Sequence, residues 1–277
     1  MSQVAFWAPA RGHGAATSNV LAVSTMIALD YFARIMITHT RRTKTAMENA
    51  FSRSGAGEGN LVSFCEYGMS ALERLLESDK LTPERIQDYT KPIVKDRLDL
   101  LPGSRKGEYE SSLCREDTLP YIVKSASRYY DVTFVDVGDE ADDGAAAAIL
   151  RNSDLIVVNL SQNIDILERY FDKELWVEGL HIKPLVLVLG NYDENSKYNA
   201  VNIARKYKWK QPIYTVPHFT GFLDASNEKN VLEFFLRNRN VGSKHPAYAF
   251  ITEVRRLSKA LLNELGVDTN LLQERGA

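Results

Sequence analysis

Residues 4–18, VAFWAPARGHGAATS, join a short apolar run to a glycine-containing turn and the start of a helical pattern. The apolar run, Val4 to Ala8, predicts a buried strand, and the helical pattern continues from about Thr17 to Phe32. Backbone N–H groups and the helix dipole make the end of such a loop a site for an anion. The turn itself contains only a Gly-x-Gly, which also fits a strand-to-helix turn without a ligand. The segment therefore predicts strand, loop and helix, and leaves anion binding open.

The alternation of strands and helices continues along the chain. Strands are predicted at 35–37, 98–103, 131–137, 155–160, 184–189 and 212–216, and helices at 69–76, from 82 onward, 145–150, 164–171, 198–206 and 247–265. Continuous apolar strands separated by helices are typical of a parallel sheet covered on both faces. We therefore predict an α/β fold with a doubly wound, mostly parallel sheet. Residues 1–277 are expected to form a single domain, with 247–277 as its C-terminal helix and tail.

The composition sets limits on the class of protein. The chain of 277 residues has 34 Lys and Arg against 36 Asp and Glu, a net charge of −2, which argues against a surface that binds nucleic acid everywhere. Two cysteines, Cys65 and Cys114, are too few for a disulfide framework. No apolar run approaches the roughly 18 residues that span a bilayer. The first seven residues lack a signal-peptide pattern, so we expect a cytoplasmic protein.

Five further segments follow one another in a recognisable order. They are LDLLPGS at 98–104, YDVTFVDVGDEADD at 130–143, NSDLIVVNLSQN at 152–163, LVLVLGNYDENS at 185–196 and IYTVPHFTGFLDASNEKN at 213–230. In this order, the segments resemble the MinD/ParA group of P-loop ATPases, and the chain is closest in style to its TadZ, CpaE and BcsQ relatives. The resemblance implies a P-loop NTPase fold, a nucleotide site at the first loop, and a homodimer.

The first loop departs from that family. The family pattern K-G-G-x-G-K-[TS]-[TS] aligns with residues 10–17, so Ala10 and Ala15 replace the two lysines and Ala16 replaces the Mg²⁺ hydroxyl, unless Thr17 shifts into that role. The resemblance implies a degenerate Walker A motif. Its nucleotide-contact candidates in this chain are Arg11, Gly12, His13, Gly14, Ala15, Ala16 and Thr17 in the loop, with Asn191 and Pro217 at the base.

Of the family's main catalytic carboxylates, only one has a counterpart in this chain. Asp136 corresponds to the Walker B aspartate and is the candidate Mg²⁺ residue, with a structural role as the alternative. Thr38-His39-Thr40 stands where the family has D-x-D. The acidic cluster at 139–143 fits a metal site or, more simply, an acidic helix N-terminus. No cofactor is expected, with weak ATP or ADP and Mg²⁺ binding as the alternative.

The resemblance and its departures together lead to a hypothesis about function. The chain is interpreted as a pseudo-ATPase that dimerises, binds protein partners of a membrane-bound secretion or pilus machine, and reaches the membrane or cell pole through them. The alternatives are an active ATPase using Arg11 and Thr17, and a DNA-partition protein.

Three features bear on these alternatives. Short basic runs, Arg41-Arg42 with Lys44 and Arg255-Arg256, are weak nucleic-acid signals. The chain ends in a segment too short and polar to be a membrane-targeting helix. An apolar stripe on the last helix packs on the domain or forms a dimer face; its residues are Phe250, Val254, Leu257, Leu261 and Leu262.

Overall fold

One eight-stranded sheet organises the chain, with strand order β3-β4-β2-β5-β1-β6-β7-β8. The computed structural model describes residues 2–41, 45–51, 67–103, 115–138, 144–267 and 269. The strands are β1 Ser2–Trp7, β2 Ile35–His39, β3 Lys91–Val94, β4 Leu98–Leu100, β5 Val132–Gly138, β6 Leu155–Leu160, β7 Leu185–Tyr192 and β8 Ile213–Pro217. Every pairing is parallel except that of β3 with β4. The predicted doubly wound, mostly parallel sheet is therefore confirmed.

Helices cover both faces of this sheet. They are α1 Ala16–Asp30, α2 Ala46–Ala50, α3 Met69–Glu77, α4 Pro83–Ile86, α5 Arg115–Ala126, α6 Gly144–Asn152, α7 Ile164–Phe171, α8 Ala200–Lys206, α9 Thr220–Asn227, α10 Val231–Asn238 and α11 Tyr248–Glu264. Successive strand residues point to opposite faces. Val4 and Phe6 therefore join a core with α1, α2 and α9–α11, whereas Ala5 and Trp7 join a core with α3–α8.

Several elements differ from the sequence-based expectation. The edge strand β3 was not predicted, because it carries Pro92 and pairs only with β4. Helix α5 was not predicted either; Pro120 lies inside it and interrupts the usual signal. Helices α9 and α10, of eight residues each, were missed because short amphipathic segments give weak periodicity. The remaining predicted elements among the described residues agree within a few residues.

The apolar stripe of α11 lies in the core. All five of its residues are buried, and α11 packs against α1 and β8. Phe250 also meets an aromatic cluster made by Phe219, Phe222, Phe234 and Phe235. The alternative in which this stripe forms a dimer face is therefore wrong, because its side chains are already covered. None of the described helices combines the length and apolar composition needed to cross a bilayer.

Candidate functional site

The loop after β1 lies at the carboxyl end of the sheet, between the ends of β5 and β6. Ligands bind at this edge in open α/β sheets. A concavity of about 260 Å³ opens there, and it is lined by Ala8, Ala10, Gly12, His13, Ala15, Ala16, Thr17, Ser18, Arg41 and Gly138. The structure thus brings most of the predicted loop residues together at one surface, beside the end of the Walker B strand.

The backbone of the loop turns through left-handed conformations. Gly12, Gly14 and Ala15 have φ of 71°, 82° and 55°, and α1 begins at the next residue, Ala16. Gly14 packs so closely that a Cβ there would lie 2.3 Å from the Asn159 carbonyl oxygen. A Cβ on Gly190 of β7 would in turn lie 2.0 Å from the Gly14 oxygen. The loop therefore packs tightly against the ends of β6 and β7. Neither Gly14 nor Gly190 has room for a side chain.

Two buried asparagines hold the loop in this position. Asn19 Nδ2 donates to the Gly14 carbonyl at 3.2 Å and to Asn159 Oδ1 at 2.7 Å. Asn159 Nδ2 donates to the Trp7 carbonyl at 3.2 Å. Sequence reasoning did not single out either residue. For Asn159 the available signal was a polar side chain within the otherwise apolar strand β6, because a buried amide must find partners.

Thr17 contacts the buried carboxylate of Asp136. Its Oγ1 donates to Asp136 Oδ2 at 2.5 Å, while Asp136 Oδ1 accepts the N–H of Gly138 at 3.0 Å. Burial raises the pKa of Asp136 above its ordinary value; the hydrogen bonds from Thr17 and Gly138 act to lower the pKa, as do the nearby His39 and Arg41. The sequence left open whether the hydroxyl is lost at Ala16 or is supplied by Thr17. The geometry brings the Thr17 hydroxyl to the carboxylate of Asp136.

The end of β2 carries two buried threonine hydroxyls. Thr38 Oγ1 donates to the Leu101 carbonyl at 3.0 Å and Thr40 Oγ1 to the Val137 carbonyl at 3.4 Å, and both residues are buried. These hydroxyls tie β2 to its neighbouring strands.

Between the two threonines, a buried contact between His39 and Glu48 connects β2 to α2. His39 Nε2 lies 2.8 Å from Glu48 Oε1, and Glu48 also accepts the N–H of Gly103 at 3.0 Å and the N–H of Thr45 at 2.6 Å. Burial acts to raise the pKa of Glu48, but the hydrogen bonds and the charge of His39 outweigh it and lower the pKa to about 2. His39 pairs with Asp136 in the sheet register, so this pair borders the site.

The basic residues separate into different environments. Arg41 is exposed and lines the concavity, near the Gly138 backbone. Arg11 and His13 are exposed on the loop. Arg255 donates to Asp30 Oδ2 at 2.8 Å and to the Arg239 carbonyl at 2.6 Å, so it ties α11 to α1 and does not form a free basic patch. Arg42, Lys44 and the acidic cluster at 139–143 lie outside the described residues.

The two predicted base-contact residues lie together, beside the loop. Asn191 is the next-to-last residue of β7 and has φ of 48°. Tyr192, which follows it, pairs with Pro217 of β8. Gly190, the residue before Asn191, is the one that touches Gly14. Neither Asn191 nor Pro217 lines the 260 Å³ concavity among the described residues. The structure therefore puts them at the same sheet edge as the loop but outside its concavity.

The donor set fits part of a Mg²⁺-nucleotide. In P-loop NTPases the P-loop hydroxyl and the Walker B aspartate hold Mg²⁺, which neutralises phosphate charge, and Thr17 and Asp136 supply that pair of oxygens. The loop amides and the Arg41 guanidinium suit phosphate. No lysine lines the described part of the concavity, and no cluster of three metal-ligating side chains exists among the described residues. Thr17 and Asp136 therefore suit one Mg²⁺ ion better than the described lining of the concavity suits a triphosphate.

Comparison by sequence finds no relatives: no protein-family profile matches the chain, and no curated protein matches it. Comparison by structure does. A ParA family ATPase from Chlorobium tepidum TLS is similar with a TM-score of 0.69 and 13% identity, over 94% of this chain and 98% of that chain. MinD complexed with Mg-ADP from Pyrococcus horikoshii OT3 is similar with a TM-score of 0.65 and 12% identity, over 94% and 96%.

A third similar structure is apo McdA from Cyanthece, with a TM-score of 0.63 and 14% identity, over 95% of this chain and 99% of that chain. These matches extend over nearly the full length of each protein. At such low identity they establish architecture and leave activity open. The chain therefore has the P-loop fold of the ParA and MinD ATPases.

Proposed function

We propose that this chain is a pseudo-ATPase, a ParA/MinD-fold protein that dimerises and serves as a scaffold for a cell-envelope machine such as a pilus or polysaccharide-secretion system. The single observation that carries the proposal is the pair of alanines, Ala15 and Ala16, that line the loop concavity directly before Thr17. Thr17 brings a hydroxyl to Asp136 there, but Ala15 and Ala16 bring no charge to a triphosphate.

The energetic argument concerns charge. Phosphoryl transfer depends on positioning and on neutralising the phosphate oxygens. Removing one preorganised group of this kind commonly costs about 10²–10³-fold in rate, or roughly 3–4 kcal/mol. This loop has alanine where the lysine belongs, and Thr38 and Thr40 hydrogen-bond to backbone carbonyls where the family has carboxylates. Such losses are not additive, yet all of them act against the same transition state. Efficient hydrolysis is not expected.

A second candidate is an active ParA-type ATPase in DNA partition or cell-division positioning. A specific observation favours it, because Thr17 and Asp136 together supply the oxygen pair that holds Mg²⁺ in working relatives. Arg41 adds a guanidinium to the same concavity, and guanidinium binds phosphate well. On this hypothesis the chain would bind Mg·ATP and change its oligomeric state with the nucleotide.

The scaffold proposal treats residues 1–277 as one domain, reaching the membrane or cell pole through protein partners. Support for one domain comes from the single sheet and from α11, which packs on α1 and β8. The dimer face must lie elsewhere than the buried stripe of α11. The loop edge of the sheet is the natural place, because working relatives dimerise around the nucleotide.

Light scattering on the purified chain tests the two candidates. We expect a dimer with and without Mg·ATP, and the same dimer in the Asp136→Asn variant. A monomer that becomes a dimer only with Mg·ATP, and fails to do so in Asp136→Asn, would favour the active ATPase. A monomer under every condition would contradict the scaffold. Circular dichroism of the variant checks that the buried substitution leaves the fold intact.

A further inference from the structure

Basic side chains alternate with aromatic rings where α8 ends. Residues 205–210 read RKYKWK, and the four basic side chains of this run are all exposed. These four, which we call the basic strip, are Arg205, Lys206, Lys208 and Lys210. Lys206 Nζ lies 2.8 Å from Glu168 Oε1. No ion pair involves the other three among the described residues, so their charges have no carboxylate partner there.

The two aromatic residues of the run fix it to the domain. Tyr207 stacks on Phe171, the last residue of α7, with ring centroids 4.2 Å apart and an angle of 11° between the planes. Trp209 meets the same ring edge-on, at 5.9 Å between centroids. Aromatic residues that bind single-stranded nucleic acid stack on its bases. Here both rings pack on Phe171 instead, so they anchor the segment that presents the basic strip.

The neighbouring carboxylates leave the basic strip with a positive charge. Two of them, Glu168 and Asp172, act on Tyr207 and so lie beside the run. Glu168 is already paired with Lys206. Glu174, a little further along the chain, pairs with Arg169 at 3.4 Å. Asp172 is thus set against three basic side chains that have no ion pair, and the balance at the strip favours an anionic partner.

An exposed apolar residue lies at the same edge of the sheet. Residue 210 lies three residues before β8, which begins at Ile213, and Ile182 lies three residues before β7, which begins at Leu185. Because β7 and β8 are parallel neighbours, both positions are at the amino edge of the sheet, opposite to the loop after β1. Ile182 is 72% exposed. This edge therefore carries both positive charge and an exposed apolar side chain.

We infer that the basic strip and Ile182 form a surface that docks on an anionic lipid bilayer, with the basic side chains at the headgroup phosphates and Ile182 in the interfacial region. A lysine or arginine beside an anionic bilayer strengthens binding about fivefold. Three of them together give a preference for anionic over neutral lipid of roughly 100-fold. The phosphates of a nucleic-acid duplex would match the charges but would leave Ile182 uncovered. This surface is distinct from the nucleotide loop and does not depend on the proposed scaffold function.

Sedimentation of the full chain with lipid vesicles tests the inference. Vesicles of phosphatidylglycerol and phosphatidylcholine in equal amounts are compared with vesicles of phosphatidylcholine alone, at about 0.1 M salt. We expect binding to the anionic vesicles to be at least about tenfold stronger, and to weaken at least about tenfold at 0.5 M salt. Equal binding to the two kinds of vesicle, or no binding to either, would overturn the inference.

Variants assign the surface. Lys208→Glu combined with Lys210→Glu should weaken binding to anionic vesicles at least about tenfold. The matched control, Lys124→Glu combined with Lys259→Glu, makes the same change in net charge at exposed lysines of α5 and α11, and should stay within about twofold. Ile182→Ser should weaken binding about threefold.

A DNA duplex at the same salt concentration serves as the competing polyanion. We expect the wild type to bind the duplex at least about tenfold more weakly than the anionic vesicles. Equal or tighter binding of DNA that is lost in the strip variant would make this a nucleic-acid surface and overturn the inference. Unchanged vesicle binding in the strip variant, or in Ile182→Ser, would contradict the surface as described.

Discussion

Thr17 is the residue that fixes the register of the first loop. Its hydroxyl, on the second residue of α1, reaches Asp136 at 2.5 Å. In the P-loop motif the hydroxyl residue directly follows the lysine. We therefore propose that Ala16 occupies the position of the lysine, and that Ala15, with φ of 55°, occupies that of the glycine before it. This register differs by one residue from the alignment of the sequence alone, which put the lysine position at Ala15.

Restoring a lysine tests this register. Ala16→Lys should tighten ATP binding at least about tenfold, because it returns one preorganised charge to the loop at the residue before Thr17. Ala15→Lys puts the same charge one residue earlier, on a left-handed backbone, and should gain less than about threefold. Calorimetry with Mg·ATP measures both variants. A larger gain in Ala15→Lys would show that the register follows the sequence alignment instead.

Gly190 has no side chain, and this allows the loop after β1 to pack against β7. A Cβ there would lie 2.0 Å from the Gly14 oxygen, which is backbone and cannot move aside cheaply. Gly190→Ala should therefore lower the free energy of unfolding by about 1–3 kcal/mol, as overpacking commonly does.

The matched control is Gly242→Ala, where a Cβ would meet nothing within 4 Å. Urea denaturation of both variants measures the difference in free energy. If Gly190→Ala proved as stable as Gly242→Ala, the close packing of the loop on β7 would be refuted.

At the scale of elements, the pair between β2 and α2 makes the protein sensitive to acid. The pKa of Glu48 is lowered to about 2 in the folded chain, below its unfolded value near 4.5. Its stabilising contribution is therefore complete above pH 4.5 and is lost as the pH falls toward 2. We expect the free energy of unfolding to fall by on the order of 2 kcal/mol across that window through this group.

Glu48→Gln provides the comparison. It should be less stable than the wild type at pH 7 and should lose stability less steeply between pH 4.5 and pH 2, because the titrating group is gone. Urea denaturation at several pH values measures both slopes. Parallel pH profiles for the two proteins would show that Glu48 does not carry the acid sensitivity.

The elements also show what local sequence can predict. Buried strands such as β6 and β7 were predicted because continuous apolar runs leave few alternatives. β3 was missed because pairing at an edge is decided by a neighbour, and α5 because tertiary packing overrides an internal proline. The loop residues were found as a site because they are contiguous in sequence.

Contacts distant in sequence were not predictable in the same way. Asn19 meets Asn159 across 140 residues, and only the folded chain brings Arg41 from the end of β2 to the concavity after β1. Arg41 had been grouped with its charged neighbours as a basic run. Which side chain completes a site thus depends on strand order, and neither a single strand nor a single loop contains that information.

For the whole molecule, the sheet and its two covering layers agree with the architecture of the ParA family ATPase and MinD structures. The ParA family ATPase and MinD align over nearly all of the chain. The architecture is retained while the loop lacks a lysine among the described residues that line it. This combination is what the scaffold proposal explains: the ParA/MinD fold with a loop concavity short of positive charge.

The most direct test is the steady-state rate of ATP hydrolysis by the purified chain, measured with Mg²⁺ beside the Asp136→Asn variant. The account predicts that the wild type and the variant release phosphate at the same rate, no faster than buffer alone. ATP turnover by the wild type that disappears in Asp136→Asn would contradict the account, because it would show that Thr17, Asp136 and Arg41 suffice for catalysis without the lysine.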